Sequence, residues 1–222
     1  MRLLISGHSS TIAQELIKMT GSLDQLSILR VGRCDKSDFQ CDFADYSSTK
    51  LFIEEVINQE HFDFVFLNHG ILLGKKALDL TESEIHRYMM VNCFSNIAIL
   101  EAFTKHKDTN IVVTSSISAK EGSYDSIYAS TKAAVDSFRL RAAESFDTSM
   151  RLNFVSPGVV KDASMTTVRK DQDNVEKIGM KTPTQNLTSS HEVAKLVFFL
   201  LFSPGNIHCQ DIGINGGMSL NS

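Results

Sequence analysis

The sequence predicts an α/β fold: a doubly wound parallel sheet with helices on both faces. Short, continuous apolar runs recur between longer segments of helical spacing, and each run is stopped by Gly, Pro, Asn or Ser. Within the runs apolar residues do not alternate with polar ones, the pattern of strands buried on both faces. The third observation is size. A chain of 222 residues buries enough surface for one core without metal or disulfide staples. No repeat or linker divides it, so a single domain over residues 1–222 is expected.

Leu3-Leu4-Ile5 is the first strand and breaks at Ser6-Gly7, before a helix from Ile12. Residues 26–31 form the second strand and end at Gly32-Arg33. Residues 47–59 read as a helix with Leu51, Phe52, Val56 and Ile57 on one side. Residues 63–67 are a buried strand stopped by Asn68-His69-Gly70. Residues 81–105 are one long helix, opened by the cap Thr81-Glu82-Ser83-Glu84. Ile111 to Thr114 is the next strand and 128–146 the next helix. Residues 151–155 are a strand stopped by Pro157-Gly158. The polar stretch 161–190 is too long for a plain connection, so it is a flexible lid or a pair of short helices. Residues 192–202 resume a helix, and the stretch from Asp211 closes with a short strand. The crossover rule makes the whole right-handed.

An apolar content of 42% with 22% charged residues excludes a disordered tail, a collagen-like repeat or a disulfide miniprotein. A net charge of −4 argues against nucleic acid or anionic membrane as partner and leaves a small molecule. Cys34, Cys41, Cys93 and Cys209 show no metal-site spacing and read as reduced thiols. The apolar start is too short for a signal peptide, and the run 197–202 is far below membrane-spanning length. A cytoplasmic protein is expected, in which the sequon Asn186-Leu187-Thr188 has no role.

The chemistry concentrates at two places. Ser6-Gly7-His8-Ser9-Ser10-Thr11-Ile12-Ala13 joins the first strand to the first helix, where helix amides and dipole favour an anion such as a pyrophosphate. Tyr128 and Lys132 stand four apart on one helical face. An ammonium beside a phenol favours the phenolate and lowers its pKa, making Tyr128 an acid or base near neutral pH. Thr114-Ser115-Ser116 ends a strand just upstream and brings a hydroxyl to the same sheet edge.

In their order, these motifs resemble the short-chain dehydrogenase/reductase family along essentially the whole chain. Ser6-Gly7-x-x-x-Thr11-Ile12-Ala13 is similar to its glycine-rich turn, Asp42-Phe43 to its adenine contact, and Asn68-His69-Gly70 to its N-A-G. Asn92 matches the family's helix asparagine, Ser116 its serine, and Tyr128 with Lys132 its catalytic pair. Pro157-Gly158 and Gly213-Ile214-Asn215-Gly216-Gly217 resemble its last two turns. The resemblance implies a Rossmann-type fold and a hydride passing between a nicotinamide and a carbonyl or alcohol carbon of a small molecule. Tyr128 would move the proton, Lys132 would hold the ribose and keep the phenol's pKa low, and Ser116 would bond the substrate oxygen. Asn92 would hold a relay water. Cofactor contacts are then expected at Gly7, Ser9, Ser10, Thr11, Ile12, Asp42, Phe43, Asn68, Gly70, Tyr128, Lys132, Pro157, Gly158 and Val160. The same resemblance implies a homodimer or homotetramer paired through the helices of Asn92 and Tyr128.

Cofactor choice has its own clue. No carboxylate ends the second strand, and the Arg33 fork one step beyond suits a 2′-phosphate, with Ser9 and Ser10 as added donors. NADP(H) is favoured over NAD(H); the alternative is a solvated Arg33 with Asp35 on a ribose hydroxyl. Thr11 in place of a glycine adds a side chain near the pyrophosphate. His69, in place of a small residue, reads as a hydrogen-bonded, partly buried imidazole. Lys161, Asp162, Arg169 and Lys170 would roof a polar or anionic substrate, or else face water. The rival to an enzyme is a catalytically silent NADP(H)-binding sensor or scaffold. A nucleotide-sugar epimerase would need a further domain.

Overall fold

The computed structural model of the chain describes residues 1–167 and 172–218. Its described strands form one parallel sheet in the order β3-β2-β1-β4-β5-β6-β7. They are β1 (Arg2–Ser6), β2 (Ser27–Gly32), β3 (Phe39–Gln40), β4 (Phe64–Leu67), β5 (Asn110–Thr114), β6 (Arg151–Pro157) and β7 (Asp211–Ile214). The order turns back at β1 and β4, which pair directly, Leu3 opposite Phe64 and Ser6 opposite Leu67. At such a switch point the two neighbouring connections leave on opposite faces and open a crevice at the strands' carboxyl ends.

The helices are α1 (Thr11–Thr20), α2 (Tyr46–Phe52), α3 (Glu82–Tyr88), α4 (Ser95–Phe103), α5 (Ser118–Glu121), α6 (Ser126–Ser145), α7 (Ser164–Thr167), α8 (Gln172–Lys181) and α9 (Ser190–Phe202). Side chains of a strand point alternately to its two faces, and the core divides accordingly. Leu3, Ile5, Phe66 and Val112 face Ile12, Ala13 and Leu16 of α1 and Val193, Val197 and Leu200 of α9. Leu4, Val65, Leu67, Ile111 and Val113 face Phe52 of α2, Leu100 and Phe103 of α4, and Val135 of α6.

Asp45 caps α2, Ser10 caps α1, and capping boxes open α3 at Thr81 and α9 at Ser189. The helix expected over 81–105 is interrupted: a π-helical turn, Met89–Phe94, joins α3 to α4 and buries Val91, Asn92 and Cys93. A second π-helical turn, Ile53–Ile57, continues α2. Leu51, expected on the buried side with Phe52, is 47% exposed, because the buried stripe runs through Thr49, Phe52, Val56 and Ile57. The stretch 161–190 contains α7 and α8, the pair of short helices, while Arg169 and Lys170 lie outside the described residues. Among the described residues no helix is long and apolar enough to cross a membrane.

Phe66 is fully buried on the central strand β4, between α1 and α9. Phe66→Ala should lower unfolding free energy by about 3–5 kcal/mol in a urea titration with an unchanged slope. A loss below about 1 kcal/mol would contradict this packing.

Candidate active site

At the end of β1 the chain must turn within contact of β4. Gly7 does so at φ +63°, where a Cβ would stand 2.9 Å from the Asn68 carbonyl oxygen and from the His69 backbone. Its N–H donates to the Val31 carbonyl at 3.0 Å, and its own carbonyl accepts the Ser10 N–H at 3.1 Å. Ser10 Oγ accepts from Ala13 N at 3.1 Å and from Asn68 Nδ2 at 2.6 Å, so its proton is left to donate outward. Ser9 is exposed beside it. Ile12 is buried in the core beneath the turn. The Thr11 hydroxyl bonds Ser190 Oγ at 2.7 Å and Ser190 N–H donates to Asp162 Oδ1 at 2.7 Å. The side chain expected over the pyrophosphate position is thus turned toward α9.

Asn68 closes the other side. Its Nδ2 also reaches the Gly7 carbonyl at 3.4 Å, and its Oδ1 accepts the Thr114 hydroxyl at 2.9 Å. His69 is buried, as the sequence suggested, and stacks on Phe43 with ring centroids 3.8 Å apart. Burial first, and the charge of Lys132 second, hold its pKa near 3, so the ring is neutral. Its tautomer follows from its neighbours. The Ser95 hydroxyl donates to the Val91 carbonyl, so His69 Nε2–H donates to Ser95 Oγ at 2.9 Å. Nδ1 then accepts from Ser6 Oγ at 2.7 Å, while Ser6 Oγ accepts the Asn68 N–H. The Gly70 Cα faces both Asn92 and Lys132: a Cβ there would lie 3.4 Å from Asn92 Oδ1 and 3.6 Å from Lys132 Nζ, in ordinary contact with both.

Ser116 lies two residues past β5, with its Oγ accepting the Ser118 N–H at 3.2 Å. Tyr128 stands on the first turn of α6 and lines a cleft of about 230 Å³ together with Ser116, Pro157, Gly158 and Val160. Gly158 N–H donates to the Ile214 carbonyl at 3.1 Å, and Val160 bridges to Thr188, which ties this edge to the 161–190 stretch. Lys132, one turn on from Tyr128, is buried and donates from Nζ to the Thr114 carbonyl at 2.9 Å; burial lowers its pKa to about 8. The expected lowering of the Tyr128 pKa by Lys132 is not found. Burial pushes the phenol up, the Ser116 hydrogen bond pulls it down, and the Asp125 carboxylate raises it again. The ammonium is instead spent on a carbonyl. Asn92 is fully buried and its amide clamps Ile71, accepting from Ile71 N at 2.7 Å and donating to Ile71 O at 2.9 Å.

A second cleft, of about 390 Å³, runs along the switch point and is lined by Gly7, Ser9, Ser10, Arg33, Asp42, Phe43, Asn68 and Gly70. Met165 of α7 lines both clefts, so they are neighbours. The residues fit a nicotinamide dinucleotide. A cradle that a Cβ on Gly7 would fill and a helix N-terminus suit the pyrophosphate, and a guanidinium lines this cleft while a phenol lines its neighbour. Arg30 is held bidentately by Asp38 at 2.8 and 2.9 Å, whereas Arg33 is exposed and makes no ion pair among the described residues. Sequence reasoning missed Arg87 of α3, which lines the same cleft; its place five residues before Asn92 was the available signal. It also missed Asp125, legible as the capping residue three before Tyr128.

The chain matches the family model described as enoyl-(acyl carrier protein) reductase over residues 23–219. A tropinone reductase homologue of Arabidopsis thaliana, chloroplastic, is 26% identical over 190 residues, which are 82% of this chain and 59% of that protein. An uncharacterized oxidoreductase of Escherichia coli is 26% identical over 184 residues, 78% of this chain and 63% of that one. The chain therefore spans about three fifths of the length of these curated relatives. Its fold is that of a short chain dehydrogenase family protein from Francisella tularensis, with TM-score 0.84, 20% identity and coverage of 99% and 98%. It is also that of the aldohexose dehydrogenase of Thermoplasma acidophilum in ligand-free form, with TM-score 0.85, 21% identity and coverage of 100% and 94%.

The neutral imidazole of His69 has a measurable consequence. Between pH 6.5 and about 3 the unfolded chain binds a proton that the folded chain refuses, so this site lowers stability as pH falls through that window. His69→Gln keeps a donor and an acceptor without titrating. Its thermal midpoint should fall less than that of wild type between pH 7 and pH 5; an equal fall would mean that His69 is not held neutral.

Proposed function

The chain belongs to the short-chain dehydrogenase/reductase family, and from that premise we propose that it is an NADP(H)-dependent oxidoreductase that reduces a carbonyl of a small metabolite. The observation that carries the reading is that Ser116 and Tyr128 line one cleft while Gly7 and Arg33 line its neighbour. The bound nicotinamide would supply or accept the hydride. Gly7, Ser10 and the N-terminus of α1 would hold the pyrophosphate, with Thr11 and Ile12 as backbone contacts. Asp42 and Phe43 would meet the adenine, and Arg33 with Ser9 would take the 2′-phosphate. Lys132, beside Gly70, would hold ribose hydroxyls, and Pro157, Gly158 and Val160 would border the nicotinamide.

Ser116 would hydrogen-bond the substrate oxygen and steady the charge that develops there. Tyr128 Oη–H would break as its proton passes to that oxygen. Asn92 holds the Ile71 backbone and, with Asn96 and Ser115, lines a gap beside Lys132 that has no room for a water as it stands, so a relay through Asn92 would need that gap to widen. We read residues 1–222 as one domain with 161–190 as its substrate cover. Support for a homo-oligomer comes from the exposed apolar side chains of Ile85, Met89, Phe94 and Leu140 along α3, the π-helical turn and α6. A cytoplasmic setting is supported by four free cysteines.

The test is a fluorescence titration of the purified protein with NADPH and with NADH. NADPH should bind at least tenfold tighter, and Arg33→Ala should erase about that factor while leaving NADH nearly unchanged. Equal losses for both cofactors would remove the 2′-phosphate assignment. In a screen of carbonyl compounds under NADPH, Tyr128→Phe should lose at least a hundredfold in turnover with NADPH affinity retained. Turnover near wild type would remove Tyr128 from the chemistry. Tight NADPH binding without turnover of any carbonyl would point to a cofactor sensor.

A further inference from the structure

What holds the first turn of α6 is a residue outside the four that the family resemblance selects. Asp125 caps this helix, with Oδ1 accepting the Tyr128 N–H at 3.0 Å. Its Oδ2 accepts the N–H of Gly74 at 3.0 Å, the N–H of Lys75 at 3.4 Å, and the hydroxyl of Tyr88. The Tyr88 oxygen in turn accepts the Leu73 N–H at 2.5 Å. A capping side chain needs only one helix donor and ordinarily stands in water. Asp125 is 2% exposed, Tyr88 is fully buried, and the three N–H groups and the hydroxyl that meet the carboxyl are all donors, the company a carboxylate keeps. The ammonium of Lys75, whose backbone N–H the carboxyl accepts, is held by Glu84 at 2.7 Å, Lys120 pairs with Asp211, and among the described residues no cation pairs with Asp125.

We propose that Asp125 is a positioning residue for Tyr128. Its buried carboxylate fixes the first turn of α6 against the 71–75 loop and α3, and its uncompensated charge keeps the phenol protonated between turnovers. This rests on the reading of Tyr128 as the proton carrier. The electrostatics agree in direction: after burial and the Ser116 hydrogen bond, the charge of Asp125 is the remaining influence on the phenol, and it raises the pKa. The other charged or titratable groups around the carboxylate and the phenol are accounted for. Lys132 Nζ is bound to the Thr114 carbonyl, Lys75 and Glu84 neutralise each other, and the hydroxyl of Tyr88 is itself pushed up by burial and by Asp125. In reduction, the Tyr128 O–H bond breaks as the substrate O–H bond forms, leaving a phenolate. A negative charge behind that phenolate disfavours it, so it recovers a proton from solvent and the acid is reloaded. Oxidation would need the phenolate first, and so would need alkaline pH.

The experiment is a spectroscopic pH titration of the full-length protein, reading the phenolate absorbance of Tyr128 as the difference between each protein and its matched Tyr128→Phe variant. Asp125→Asn keeps an oxygen for the cap and removes the charge; its Tyr128 phenolate should form at lower pH than in wild type. Asp125→Ser, smaller and also neutral, gives the same reading should the asparagine variant fail to fold. A folded variant whose thermal midpoint falls while the phenolate titration stays in place would mean a cap and nothing more, and would overturn the proposal. The titration needs neither cofactor nor substrate. Absence of NADPH binding, or unchanged turnover in Tyr128→Phe, would therefore refute the proposed activity and leave the Asp125 measurement to be judged separately.

Discussion

Asn68 sits where the two halves of the sheet part, and its amide joins them. One end holds the Gly7 carbonyl and Ser10 Oγ, the other the Thr114 hydroxyl, so the first turn, the N-terminus of α1 and the end of β5 are fixed to one another by a single side chain. The backbones of Gly7 and of residues 68–69 then lie too close for a Cβ between them. Both clefts are shaped around this junction: one opens beside Gly7 and Asn68, and the other begins at Thr114 and Ser116. An alcohol or amide elsewhere in the cleft contributes a contact, whereas this one sets the distances between walls.

Behind the junction lies a set of groups whose charged forms burial disfavours. His69 is neutral, Lys132 has a pKa near 8, and the phenol of Tyr128 is pushed up. Low polarity around these groups strengthens each hydrogen bond that remains and makes any unpaired charge costly. The carboxylate of Asp125 is tolerated in that setting because three N–H groups and a hydroxyl surround it.

The strands were legible because their chemistry is repetitive. Leu3-Leu4-Ile5 and Phe64-Val65-Phe66-Leu67 are apolar on both faces, and the first ends at Gly7, where a side chain does not fit. The first helix and the Thr81 capping box were legible for the same local reason. Less legible was whatever depends on partners distant in sequence. β3 is only Phe39–Gln40 and exists by pairing with β2. The Thr11 hydroxyl is directed by Ser190, 179 residues away. Tyr-x-x-x-Lys spacing put Lys132 one turn from Tyr128, but the Thr114 carbonyl decided where the ammonium points. The π-helical turns left no mark in the apolar spacing, and Leu51 was given to the wrong side because the buried stripe of α2 runs through Thr49, which no apolar pattern marks.

The π-helical turn Met89–Phe94 also bears on how this chain can change. It is one residue wider than an α-helical turn, which makes it an insertion absorbed without a loop. Losing that residue would close the turn to ordinary α-helical hydrogen bonds, and the flanking faces, on which Tyr88 upstream and Phe103 downstream are fully buried, would keep their orientation. The change would fall on the turn itself, which carries the buried Asn92 and its two bonds to Ile71. A shortening here would therefore spare the core and displace Asn92, so the width of one turn sets the place of one amide.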